Sequence, residues 1–179
     1  MADWLESFLS MKQRAYIRLG KWDGITAQNL PADPELYCVT TAMMHYAKAV
    51  AYAASGNVPD AEREAGAFEA ACARVPDSRT LFNNTCQAIL DVGREMMLGE
   101  IAYRKADDDA AFAHLRRSVA LDDALPYDEP WGWTPPCHAP ASTRTTSGHC
   151  MATRLPDTPG AKRGSGFEQT TAGSDQCPR

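Results

Sequence analysis

Apolar residues recur at helical spacing through the first 125 residues, and no segment alternates apolar and polar residues as a strand does. Asp33-Pro34 and Asn57 are typical helix starts, because a short polar side chain can cap the first turn. Gly20 and Gly56 are typical helix ends. The predicted helices span residues 3–19, 33–55, 57–75, 77–105 and 107–123, with at most a short helix in 21–30. The pattern therefore predicts an all-α fold.

Three of the predicted turns repeat the same surroundings, with small residues at matched offsets. The matching residues are Leu98, Gly99, Ala106, Ala111, Leu115, Ser118 and Leu121 in the last unit, Ala49, Tyr52, Gly56, Ala61 and Ala65 in the middle unit, and Gly20 and Trp22 in the first. The first unit departs from the pattern at Ile25, where the packing alanine is expected. This pattern resembles the tetratricopeptide repeat (TPR), a helix-turn-helix unit of about 34 residues. The stretches "LYCVTTAMMHYAKAVAYAASG" and "ALPYDEPWGW" look like those of TPR-domain proteins from bacteria and fungi, and the resemblance covers residues 4–133.

The resemblance implies a TPR-like α-solenoid of about three helical hairpins, formed by residues 1–133. Ala61 and Ala111 are then expected to be buried, because small residues let paired helices approach closely. The turns are 36 and 50 residues apart, and the excess falls in residues 83–95, which predicts a lengthened helix there. A coiled-coil pair of Ala-rich helices is the alternative, but it gives no reason for the matched small residues.

The function implied by the resemblance is binding of a protein or peptide by a scaffold, and not enzymatic activity. In TPR arrays the first helix of each unit lines a concave groove. The corresponding positions in this sequence are the predicted groove residues Arg14, Arg18, Tyr46, Glu100, Tyr103 and Arg104, with Met43, Val50 and Met96 as further candidates. Arginine, aromatic residues and methionine are enriched at protein interfaces. The alternative is an enzyme or a small-molecule-binding helical domain with its site in the same groove, although no phosphate loop, nucleophile elbow or HExxH motif occurs.

Charge is unevenly distributed along the chain. Residues 1–133 carry 13 basic and 20 acidic side chains, whereas residues 134–179 carry 5 and 3. An acidic body without a basic stripe argues against nucleic acid and anionic membrane as partners, and no apolar run is long enough to span a bilayer. The first 16 residues lack the positive charge of a secretory leader, so we expect a cytoplasmic protein.

The last 46 residues differ sharply in composition. Residues 134–179 contain six Pro, five Gly, eight Thr and four Ser but only three large apolar residues, which predicts a disordered tail. The change follows residues 127–133, "YDEPWGW", a stretch that leads into a further repeat in the proteins that this chain resembles. The abrupt loss of pattern favours an array cut short by an out-of-frame or alternatively spliced end over a natural tail. Trp131 and Trp133 are then expected to cover part of the last helix.

Cysteine usage indicates a reducing compartment. Cys38, Cys72 and Cys86 fall within helical patterns, and we expect them to be small buried residues and not disulfide partners. The pairs at 137–138 and 149–150 each join Cys and His, but structural zinc sites usually separate paired ligands by two to four residues. We therefore expect no metal and no cofactor.

Overall fold

The computed structural model describes residues 6–126, and helices make up most of them. The helices are α1 (Met11–Arg18), α2 (Trp22–Thr26), α3 (Cys38–Ala54), α4 (Val58–Cys72), α5 (Cys86–Arg104) and α6 (Asp108–Asp123). A 3₁₀ helix, Glu6–Ser10, precedes α1. Two short antiparallel strands, β1 (Thr80–Leu81) and β2 (Asn84–Thr85), form a ribbon immediately before α5. The all-α prediction is confirmed, with this ribbon as a small exception.

The helices pack as two consecutive pairs, with α3 against α4 and α5 against α6. Helix α3 also packs against α1, α2 and α5, and it therefore lies at the centre of the fold. Ala61 and Ala111 are each 0 % exposed, as predicted from their places after the turns. Position 99 also requires a small residue, since a Cβ atom on Gly99 would lie 3.0 Å from Leu115 Cγ. Small residues thus set the close approach of α5 and α6.

The turns that follow α1, α3 and α5 have one geometry. Each contains a residue with positive φ, namely Gly20 (63°), Gly56 (82°) and Ala106 (62°). The next N–H in each turn donates to the carbonyl five residues earlier, at 2.9, 2.9 and 3.0 Å. These bonds satisfy carbonyl groups that a helix end leaves without partners. Asn57 and Asp107 then cap the following helices, because each side chain accepts from the N–H three residues on.

Two predicted helix starts are wrong. Helix α3 begins at Cys38 and not at residue 33, because the Asp33 carboxylate accepts the N–H groups of Glu35 and Leu36 and so forms a separate turn. Helix α5 begins at Cys86 and not near residue 77, since the ribbon takes up the preceding residues. Helix α5 has 19 residues against 17 in α3, whereas α4 has 15 residues against 5 in α2. Most of the extra length between the turns therefore lies in α4 and not in the predicted lengthened helix.

A buried ion pair ties the N-terminal segment to the rest of the fold. The Glu6 carboxylate accepts the N–H of Thr40 at 2.8 Å in the first turn of α3, and it lies 3.1 Å from Arg79 Nη1. The Arg79 guanidinium also donates to the carbonyl of Leu36 at 3.2 Å. The predicted first helix is consequently interrupted, because residues from Glu6 to Ser10 adopt a 3₁₀ helix against α3 and only then continue as α1.

Candidate functional site

The predicted groove residues lie on α1, α3 and α5, and these three helices are neighbours because α3 contacts both others. We call the surface formed by α1, α3 and α5 the A face. It holds all six residues that the repeat positions select: Arg14, Arg18, Tyr46, Glu100, Tyr103 and Arg104. Their exposure differs greatly. Only some of them are therefore available to a partner.

Two of the six are buried. Tyr46 is 4 % exposed, and its ring centroid lies 6.5 Å from that of Phe68 on α4. The Tyr46 ring is therefore part of the core between α3 and α4. Glu100 is 6 % exposed, and burial raises the pKa of its carboxyl group while Arg104 works in the opposite direction. These two side chains are therefore not exposed to a partner.

Arg104 and Tyr103 are in contact near the end of α5, where Tyr103 also packs against Ala111 and Leu115 of α6. Arg104 is exposed, and its Nε and Nη2 atoms lie 2.9 and 2.8 Å from Glu100 Oε1. Its guanidinium carbon lies 5.6 Å from the centroid of the Tyr103 ring. The ion pair restricts the arginine, whose side chain remains 31 % exposed. Such restriction lowers the entropy that a side chain loses on binding a ligand.

At the other end of the A face, the α1 segment is strongly basic. Between Glu6 and Asp23 there are four Lys or Arg side chains and no acidic residue. Arg18 is exposed, whereas Arg14 is half-buried, and burial lowers the pKa of its guanidinium against the opposing influence of Tyr46 and Cys86. This segment is an exception in a chain whose net charge is −5.

A cavity of about 10 Å³ lies beside Arg14, at the junction of α1, α3, α5, the ribbon and the 3₁₀ helix. Its lining residues are Ser7, Ser10, Arg14, Val39, Met43, Leu81, Cys86, Ile89 and Leu90. The space is about the size of one water molecule. The prediction from the repeat found Arg14 but not the serines, because the 3₁₀ helix that positions them depends on contacts with α3.

A His–Glu pair joins the two helices of each pair. His45 Nδ1 lies 2.7 Å from Glu64 Oε2, and His114 Nδ1 lies 2.7 Å from Glu95 Oε2. The residues correspond at the constant offset of 50, but the order is reversed, with histidine on α3 in one pair and on α6 in the other. Both histidines are thereby held in interhelical contacts. These pairs were not found from the sequence, where only their 19-residue spacing could have indicated them.

The three cysteines of the described region are buried and free, as predicted. Burial raises the pKa of all three thiols, and it raises that of Cys72 to about 12. High pKa values disfavour the thiolate form that nucleophilic chemistry and metal binding require. Within residues 6–126 no group of three or more His, Cys, Asp or Glu side chains could hold a metal ion. The Cys–His pairs at 137–138 and 149–150 lie outside the described residues, as do residues 127–133 and 134–179.

None of the helices in this part of the chain is both long enough and apolar enough to cross a membrane. Comparison with known proteins gives no match, whether to a family model, to a curated protein or to a solved structure. The A face has three chemically distinct parts. It combines a basic end, a cationic and aromatic end, and the half-buried residues Val50 and Ala54 between them.

Proposed function

We propose that this domain is a TPR-like helical-repeat scaffold that binds an extended segment of another protein across its A face. Support for the repeat comes from the equivalence of the α3–α4 and α5–α6 pairs. Every feature of the first pair has its counterpart 50 residues later: the turn, the capping side chain, the buried alanine and the His–Glu contact. Repeated hairpins that stack in a row produce extended binding surfaces.

The observation that carries the binding proposal is the placement of two exposed arginines. Arg18 and Arg104 occupy the same position relative to their turns, two residues before Gly20 and Ala106 respectively. Ala54 is at that position in the middle unit. A partner that crosses the three helices would therefore meet a cation, an apolar floor and a second cation.

This order of groups defines the partner chemically. Neighbouring helices lie about 8–10 Å apart, so the two arginines are roughly 16–20 Å apart across α3. An extended chain covers that span in about five or six residues. The A face is therefore suited to a segment with an acidic residue at each end and small apolar residues between them. Arginine also pairs with carboxylates in a bidentate manner, which gives direction as well as affinity.

A peptide display experiment tests this proposal. Peptides are selected on the full chain, and their dissociation constants are then measured for wild type, for Arg18→Ala with Arg104→Ala, and for a control with Arg74→Ala and Arg116→Ala. The control removes two exposed arginines outside the A face. We expect acidic–apolar–acidic peptides whose binding falls at least tenfold in the A-face variant, falls again when Tyr103→Ala is added, and is unchanged in the control.

Equal binding to all three proteins would contradict the proposal, because the selected peptides would then recognise another surface. A bound metabolite in native mass spectrometry, together with failure to select any peptide, would favour the enzyme or small-molecule alternative. Salt gives an independent check. Since two exposed ion pairs carry part of the affinity, the dissociation constant should rise steadily between low and physiological ionic strength.

A further inference from the structure

A cleft of about 310 Å³ lies between the turn that follows α1 and the end of α3. Its lining residues are Gly20, Lys21, Trp22, Asp23, Gly24 and Ser55. A volume of this size is at the small end of the range for ligand-binding pockets, which is about 300–1,000 Å³. The cleft is therefore large enough for a molecule of the size of a free amino acid.

The equivalent space between the next two turns is closed by an ion pair. Lys105 immediately precedes Ala106, the positive-φ residue of the turn after α5, and Glu62 follows Gly56, the positive-φ residue of the turn after α3, by six positions. Lys105 Nζ lies 2.9 Å from Glu62 Oε1. Two long side chains thus bridge the gap between these turns.

The cleft is open because short side chains occupy the two corresponding positions. Ser55 immediately precedes Gly56, and Thr26 follows Gly20 by six positions. The hydroxyl groups of Ser55 and Thr26 each donate to a backbone carbonyl of their own helix, at 2.8 and 3.3 Å respectively. Neither side chain therefore fills the space between the turns that follow α1 and α3.

Two exposed side chains of opposite charge line the cleft. Within the described residues 6–126, neither the Lys21 ammonium nor the Asp23 carboxylate takes part in a hydrogen bond or an ion pair. A ligand that carries one negative and one positive group can therefore contact both side chains without displacing an existing contact. Charge-assisted hydrogen bonds are about twice as strong as neutral ones, so this pair of side chains favours a zwitterionic ligand over a neutral molecule.

Trp22 provides an aromatic wall between these two charges. It is half-buried, because its side chain packs against the core and also lines the cleft. The face of an indole ring attracts both an aromatic ring and an ammonium group. The wall is held in place by close packing of the turn on α1, since a Cβ atom on Gly24 would lie 3.0 Å from Tyr16 Cε2.

We propose that this cleft binds a free aromatic α-amino acid, whose carboxylate contacts Lys21, whose ammonium contacts Asp23 and whose ring packs on Trp22. For an open cleft and a ligand of about a dozen non-hydrogen atoms, the expected dissociation constant is on the order of 1 mM. None of these three residues is among those that the proposed function assigns to a protein partner. Either proposal can therefore fail without the other.

An NMR titration of the isotope-labelled full chain tests this, followed at the backbone amides of residues 20–24 and 55 and at the indole of Trp22. The ligands are L-phenylalanine, phenethylamine, which lacks the carboxylate, and 3-phenylpropionate, which lacks the ammonium. We expect L-phenylalanine to shift these signals and each analogue to bind about fivefold more weakly, because one charge-assisted contact is missing. In Lys21→Gln, L-phenylalanine and phenethylamine should bind equally, and in Asp23→Asn, L-phenylalanine and 3-phenylpropionate should bind equally.

Closing the cleft provides a second test. Thr26→Glu with Ser55→Lys introduces the ion pair that already bridges the next gap, and it should remove the shifts at residues 20–24 while the circular dichroism spectrum stays unchanged. The matched control is Glu62→Thr with Lys105→Ser, which opens the next gap. Residues 57–59 there are Asn, Val and Pro, so we expect no new binding site and an unchanged affinity for L-phenylalanine.

Three results would overturn the proposal. The absence of shifts at residues 20–24 and 55 with about 20 mM L-phenylalanine would exclude the site, because this concentration is far above the expected dissociation constant. Equal binding of wild type to L-phenylalanine and to either analogue would show that the two charges are not both recognised. Unchanged binding by the Thr26→Glu, Ser55→Lys protein would place the ligand elsewhere.

Discussion

Replacement of Glu6 by alanine tests whether the N-terminal segment is an essential part of the fold. The Glu6 side chain is 1 % exposed and the Arg79 side chain that its carboxylate contacts is 8 % exposed, so both charges are removed from water. The same carboxylate accepts the N–H of Thr40 in the first turn of α3. Glu6→Ala therefore removes both the hydrogen-bond acceptor of the Thr40 N–H and the negative charge that pairs with the buried Arg79 guanidinium.

The expected magnitude follows from these two losses. Breaking a buried ion pair by removing one partner costs about 3–5 kcal/mol, and loss of a helix-capping acceptor costs about 0.5–2 kcal/mol. The two values overlap because one carboxylate provides both contacts. We therefore expect the free energy of unfolding to fall by about 3–5 kcal/mol in Glu6→Ala.

Urea unfolding of the full chain, followed by circular dichroism at 222 nm, provides the measurement. The slope of the unfolding free energy against urea should stay unchanged, so that a lower midpoint reports stability alone. The combined variant Glu6→Met with Arg79→Met should lose less than Glu6→Ala, because no isolated charge remains buried. A loss below about 1 kcal/mol in Glu6→Ala, or a larger loss in the double variant, would show that this ion pair does not hold the N-terminal segment in place.

Three further predictions concern the repeated turns, the His–Glu contacts and the buried thiols. Ala106→Gly should raise the unfolding free energy by about 0.5–1 kcal/mol and Gly56→Ala should lower it by about 1 kcal/mol, since both positions have left-handed φ and only glycine adopts it without strain. Urea unfolding checks this, and changes of the same sign in the unfolding free energy of the two variants would contradict the shared turn geometry. His45→Glu should lower the unfolding free energy by about 2 kcal/mol, because a hydrogen bond to a charged group is lost. Exchange of His45 and Glu64 should restore most of this loss, because the second helix pair already has its glutamate on the first helix and its histidine on the second. A double variant no more stable than the single variant would refute this. At pH 8 a pKa of about 12 leaves roughly one Cys72 thiolate in 10⁴, so a disulfide reagent should label this thiol only after unfolding, and rapid labelling of the folded protein would be the opposing result. Because the folded pKa lies above the ordinary value of 9.0, the contribution of Cys72 to stability should be complete below pH 9 and decline from there towards pH 12.

The parts of the fold that depend on nearby residues were predictable from the sequence. Asn57 and Gly56 mark the turn between α3 and α4 by their own chemistry, and Ala61 is buried because of its fixed distance from that turn. The ribbon was missed because its stability comes from distant contacts. Phe82 packs on Phe8, 74 positions earlier, and nothing in the intervening pattern signals that contact.

In the candidate site, too, the sequence predicts what depends on nearby residues and not what depends on distant contacts. The six residues predicted to line a groove lie on α1, α3 and α5, which follows from the order of the helices, and the groove itself stays a prediction. The repeat positions do not distinguish exposed from buried members. Tyr46 is buried because Phe68 of α4 lies beside it, and Arg14 is half-buried because the 3₁₀ helix turns back over α1 and α3. Both effects depend on side-chain volume and on tertiary contacts, which helical spacing does not encode.

The reversed order of the two His–Glu contacts has a consequence for how the chain avoids misassembly. Two similar helix pairs in one chain could exchange partners during folding, so that α3 joins α6 and α5 joins α4. His45 would then face His114, and Glu95 would face Glu64, so that neither hydrogen-bonded contact could form and two carboxylates would repel each other. The opposite order of histidine and glutamate in the two contacts thus favours the pairing of each helix with its correct neighbour.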